Sequence, residues 1–214
     1  MEAALKQPMT GPMPKGRAIK KGAFWRALPR LIFIAAILCG GAMAAKAAYI
    51  PVKAEVAQVL LTRAFDQSLA AGTPVKPWSW ADTAPLARVS APRLGQSEIV
   101  LSGGSGEAMA FGPTALVDDQ ARGITVLAAH RDTHFEFVQD LLIGDDIWLE
   151  RIDGSTTNYR TTRVDIVRWD EFAHPAAASD AGSDGLIALT TCYPFDTHEP
   201  GPLRYVVWAE LVSE

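Results

Sequence analysis

189-LTTCYPF-195 closes the apolar run 186-LIALTTC-192 on a cysteine, and Tyr193-Pro194 stops the strand there. What that thiol can do depends on which side of a membrane it sits. The chain holds two cysteines, Cys39 and Cys192. Cysteines outside the cytoplasm usually pair, so a single one in an exported domain is either an intermolecular bridge or a free reactive thiol.

Export is read from the N-terminus. Residues 1–30 carry seven Lys/Arg against one acid, Glu2. The run 31-LIFIAAILCGGAMAAKAAYI-50 follows, charge-free from Leu31 to Ala45, with Lys46 near its far end. Twenty such residues match a hydrocarbon core of roughly 30 Å, and a basic flank ahead of the span predicts the N-terminus inside. The rival is a cleavable signal peptide, since Ala42-Met43-Ala44 is a small-x-small site. The anchor is adopted because the leader is long and the apolar pattern runs on into a helix. Cys39 then lies in the span as a small apolar residue. Residues 1–30 are a basic cytoplasmic tail, 31–50 the transmembrane anchor, and the rest an extracytoplasmic domain on a single-pass inner-membrane protein.

From Pro51 onward there are 12 Lys/Arg and 23 Asp/Glu. A domain this acidic has no electrostatic reason to bind nucleic acid. Residues 52–72 read as an amphipathic helix with Val56, Leu60, Phe65 and Leu69 as its apolar stripe and Gly72 at its end. Residues 73–85, rich in Pro and Trp, form an ordered linker, so 51–84 is taken as helix plus linker. From residue 85 to 214 the period changes. Runs dense in Val, Ile and Leu recur at 86–90, 98–103, 123–130, 146–153, 159–169, 186–192 and 205–212, between Gly and Asp turns. Seven or eight short strands predict an all-β barrel or sandwich. Residues 134–143 are a short helix or apolar loop, and 103-GGSG-106 is loop without the Lys-Ser/Thr of a phosphate cradle.

Three chemically capable residues fall at strand ends. Cys192 ends one run, His130 ends 123-GITVLAAH-130, and Arg204 opens the last run after the Pro-Gly-Pro turn. A thiol nucleophile, an imidazole to exchange protons and a guanidinium to meet an oxyanion are what acyl transfer through sulfur requires.

In this combination the chain resembles the sortases, membrane-anchored cysteine transpeptidases. That family carries Thr-Leu-x-Thr-Cys at a strand end, a His closing a strand about 60 residues earlier, and an Arg about a dozen residues later. Here the segment is 188-ALTTC-192, with Ala188 where Thr is usual, and the intervals are 62 and 12 residues. The HRDTHF context is most similar to sortases of Gram-negative proteobacteria. The resemblance implies a closed β-barrel of about eight strands with short helices, and no cofactor. It also implies Cys192, His130 and Arg204 as catalytic residues, with Thr191 and Leu189 as substrate-binding neighbours. The partners implied are a secreted protein bearing a C-terminal Pro-x-Thr-Gly-like sorting signal and an amine acceptor, with water as substitute.

Other readings weigh less. His130 and His134 stand at i and i+4, but Arg131 occupies the place of a zinc peptidase's glutamate and the pair follows a strand. His198 is the runner-up proton carrier, and His174 reads as a loop residue. Asp118-Asp119 and Asp145-Asp146 lack calcium-ligand spacing. Leu189-Thr190-Thr191-Cys192 does not match the Ser-His-Gly-Cys of L,D-transpeptidases, and no Cys-x-x-Cys exists for disulfide exchange. The alternative from another class is a non-catalytic anchored β-domain in which Cys192 forms an intermolecular disulfide.

Overall fold

Helix α1 runs unbroken from Lys21 to Ala71 in the computed structural model, which describes residues 21–172, 185–197 and 199–212. The chain divides into two compact units, Met1–Ile50 and Pro51–Glu214. In the first, the apolar residues Leu31 to Met43 are all exposed where they are large, and the helix is long and apolar enough to cross a membrane. Pro51 lies within α1. A proline removes one backbone bond, and the surrounding alanines have the strongest helix propensity of any residue.

In the second unit α1 presents Ala57, Leu61, Ala64, Phe65 and Ser68 to the barrel. This corrects the expected stripe: Val56 is exposed and Leu60 only half-buried. The seam is made largely of small residues at helical spacing, which a search for large apolar side chains passes over. Leu61 and Phe65 pack with Ile99, Leu101 and Ala108, and Trp78 meets Phe111 edge-on at 5.2 Å. Full burial of each large side chain stabilises by about 1.5–3 kcal/mol. Trp80 stays 83% exposed.

Eight strands close a barrel: β1 Pro85–Ala91, β2 Gln96–Leu101, β3 Thr114–Asp119, β4 Ile124–Ala128, β5 Asp146–Arg151, β6 Thr156–Arg168, β7 Leu186–Tyr193 and β8 Leu203–Leu211. Their order is β1-β2-β3-β4-β7-β8-β6-β5. Closure removes the free edges that would otherwise invite pairing with other chains. Val89, Leu127, Leu149, Ile187, Leu189 and Val207 are buried in its core. β3 is absent from the runs read in the sequence; its residues, TALVDD, end in two aspartates that read as a turn. Gly154 turns the β5–β6 hairpin at φ 85°, where other residues are strained. Between β4 and β5, the segment 134–143 holds a 3-10 turn, Glu136–Asp140, that buries Phe137 and Val138.

Two pairings fix one end of the barrel. β4 and β7 run parallel with Ala128 opposite Thr190, and β7 and β8 run antiparallel with Cys192 opposite Arg204.

Candidate active site

The parallel pair sends both strands out of the barrel in step. Two residues beyond the Ala128–Thr190 pairing stand His130 and Cys192. The antiparallel neighbour β8 enters at that same end, so Arg204 is the second residue of its strand. All three line one pocket of about 400 Å³. Cys192 is a free, half-buried thiol, His130 is exposed and Arg204 half-buried. Apolar walls complete the pocket: Trp169 and Phe172 after β6, and Met109 and Leu116 from the stretch between β2 and β4.

Alternation along β7 decides which neighbours accompany the thiol. Successive side chains point to opposite faces of a strand, so Cys192 shares a face with Thr190 and Ala188. Ala188 packs with Val126, Val206 and Trp208, a layer outside the main core. Leu189 lies three residues from Cys192 and takes the opposite face. It is fully buried in the barrel core and does not line the pocket, which corrects its expected placement against substrate. Thr191 lines the pocket, yet its hydroxyl donates to the Ala129 carbonyl at 2.8 Å. It therefore ties the cysteine strand to the residue preceding His130. Thr190, which the sequence motif does not single out, also lines the pocket, with a buried hydroxyl that has no partner among the described residues. Period-two alternation from Cys192 is the signal that could have found it.

The guanidinium of Arg204 is held by backbone. Its Nη1 donates to the carbonyls of Gly201 at 2.9 Å and Leu203 at 2.8 Å. No carboxylate pairs with it among the described residues. A cation fixed by neutral carbonyls keeps its charge for an incoming oxyanion. Nearby, Tyr193 stacks on Tyr205 at 6.1 Å and Phe195 meets Tyr205 edge-on at 5.2 Å. Burial raises the Tyr205 phenol above its usual pKa, keeping the ring neutral.

His134 is engaged elsewhere, its Nδ1 lying 2.8 Å from Glu98 Oε2. Asp118 accepts two bonds from Arg151, and Asp145 is bound by Arg93. Among the described residues no cluster of three or more potential metal ligands occurs. His174 and His198 lie outside the described residues.

Comparison with known proteins gives a consistent set. Residues 89–212 match the family model of the sortase domain. Streptococcus agalactiae sortase C1, solved with MTSET, is similar at TM-score 0.52 and 22% identity, over 61% of this chain and 70% of that one. Sortase A from Corynebacterium diphtheriae is similar at TM-score 0.52 and 21% identity, over 63% and 64%. Sortase C-1 from Actinomyces oris gives 0.51 and 23%, over 61% and 76%. A search of curated proteins by sequence found no match.

Proposed function

The chain belongs to the sortase family, and from that premise we propose a membrane-anchored cysteine transpeptidase acting on a secreted protein with a Pro-x-Thr-Gly-like C-terminal signal. The observation that carries this reading is the meeting of Cys192, His130 and Arg204 on one pocket at one end of the barrel. The apolar helix ahead of the barrel supports the anchor. An N-terminus inside, and a catalytic domain on the extracytoplasmic face, follow from the basic leader. The HRDTHF context supports the proteobacterial subtype.

The Cys192 thiolate attacks the Thr carbonyl carbon, and the carbonyl electrons move to oxygen. Arg204 donates to that oxyanion, because its Nη1 is already tethered and its remaining N–H groups face no carboxylate among the described residues. Collapse breaks the Thr–Gly C–N bond, and His130 gives its proton to the departing amine. A thioester on Cys192 remains. An incoming amine attacks it, passes a proton to His130 and expels the thiolate, leaving a new amide; water in that role yields an acid. Thr191 acts by holding Ala129, and with it the His130 strand end.

The test is Cys192→Ala. The variant should fold as wild type and lose turnover of a sorting-signal peptide, while the wild-type thioester is trapped on Cys192 and read by mass spectrometry. Turnover that survives the substitution ends the proposal. On non-reducing electrophoresis of membranes we expect a monomer; a thiol-linked dimer would favour the non-catalytic alternative.

A further inference from the structure

Arg131 follows His130 in the chain and is 6% exposed, an unusual place for a guanidinium. Its Nη2 donates to the Glu199 carbonyl at 2.7 Å, while its buried Nη1 has no partner among the described residues. No carboxylate neutralises it among the described residues. Burying a charge is unfavourable unless partners compensate, so this side chain adds little to stability for what its burial demands. Its single bond has a specific destination. Glu199 belongs to the connection between β7 and β8, which leaves the strand of Cys192 and returns as the strand of Arg204. Arg204 holds the same connection two residues further on, at the Gly201 carbonyl.

The main chain around His130 is fixed on its other sides. The Ala129 N–H donates to the Thr190 carbonyl at 3.3 Å, the Ala129 carbonyl accepts from Thr191, and the His130 carbonyl accepts from the Phe135 N–H at 3.0 Å. Those bonds tie the histidine turn to β7 and to itself. The Arg131 side chain ties it to the β7–β8 connection.

We infer that Arg131 is a positioning residue, clasping the β7–β8 connection to the His130 turn so that imidazole, thiol and Arg204 stay in register. The inference rests on the transpeptidase reading of the site. The Nη2 bond to Glu199 is then what keeps the site assembled.

The experiment uses the full chain in detergent or nanodiscs, with Arg131→Met, Arg131→Gln and Arg131→Lys. Activity is read with a quenched peptide containing Leu-Pro-Ala-Thr-Gly and hydroxylamine as acceptor, beside Cys192→Ala. Hydrogen exchange is read over residues 195–203. Arg131→Met should lower kcat on the order of 30-fold with KM within about threefold, as expected for misplaced reacting groups. Exchange over 195–203 should accelerate in the same variant. Arg131→Lys keeps a charged donor and should recover most of both; Arg131→Gln, which keeps a neutral one, should fall between. The inference is overturned if Arg131→Met leaves exchange over 195–203 unchanged, whatever the peptide does. It is equally overturned if kcat holds within about threefold, if only KM moves, or if lysine fails to rescue. A Cys192→Ala enzyme that stays active would instead overturn the transpeptidase reading, so the two failures are distinct.

Discussion

The arginines of the barrel wall and those at its Cys192 end are held in opposite ways. Arg93 binds the Asp145 carboxylate, Arg151 binds Asp118 through two nitrogens, Arg88 binds Glu150, and Arg160 binds Asp146. Arg131 and Arg204 instead donate to backbone carbonyls, of Glu199 for the first and of Gly201 and Leu203 for the second. A carboxylate partner neutralises an arginine and turns it into a strut between strands. A carbonyl partner fixes the side chain and leaves its charge unspent. Charge pairing thus separates the arginines that link strands of the barrel from the two beside its Cys192 end, of which Arg204 alone among the described residues lines the pocket.

The strongest way to break this contrast is Arg204→Lys. Lysine keeps the charge but loses the planar fork, so turnover should fall on the order of 100-fold while thermal unfolding stays near wild type. A near-normal rate would make Arg204 another strut. Asp145→Asn should do the reverse, lowering Tm by roughly 2–8 °C with little effect on kcat. Arg93 holds the Asp145 carboxyl below its ordinary pKa, as does the Leu142 N–H. A depressed folded pKa contributes stability above the unfolded value of about 3.9 and loses it as pH falls through the folded value. Acid unfolding of wild type should therefore steepen below about pH 4, and Asp145→Asn should flatten that limb. An unchanged acid limb would remove Asp145 from the strut class.

Thr190→Val carries the smallest expected effect. It swaps a buried hydroxyl with no partner among the described residues for a methyl group of similar shape, so stability should hold or rise by up to about 1 kcal/mol. A loss of that size, seen in denaturant unfolding, would mean that the hydroxyl has a partner in solution.

Much of the barrel was legible in the chain because β4, β7 and β8 are continuous apolar runs ended by Gly, Pro or polar residues. His130, Cys192 and Arg204 were legible for the same reason, each being a reactive side chain where such a run begins or ends. β3 was not, because Asp118 is accommodated near its end by Arg151, a partner 33 residues away. The seam of α1 was hidden for a related reason: Ala57, Ala64 and Ser68 become core only through the barrel surface they meet. Leu189 and Thr190 changed places because a motif names adjacent residues alike, while a pleated strand sends them to opposite sides.

The parallel alignment of β4 with β7 has a consequence for what a change of register would do to the site. The imidazole and the thiol owe their proximity to five rungs of a ladder, Ile124–Leu186 through Ala128–Thr190, and not to the long excursion joining them. A slip of the ladder by a single rung would displace one group by about 3.3 Å and turn it to the far side of the sheet.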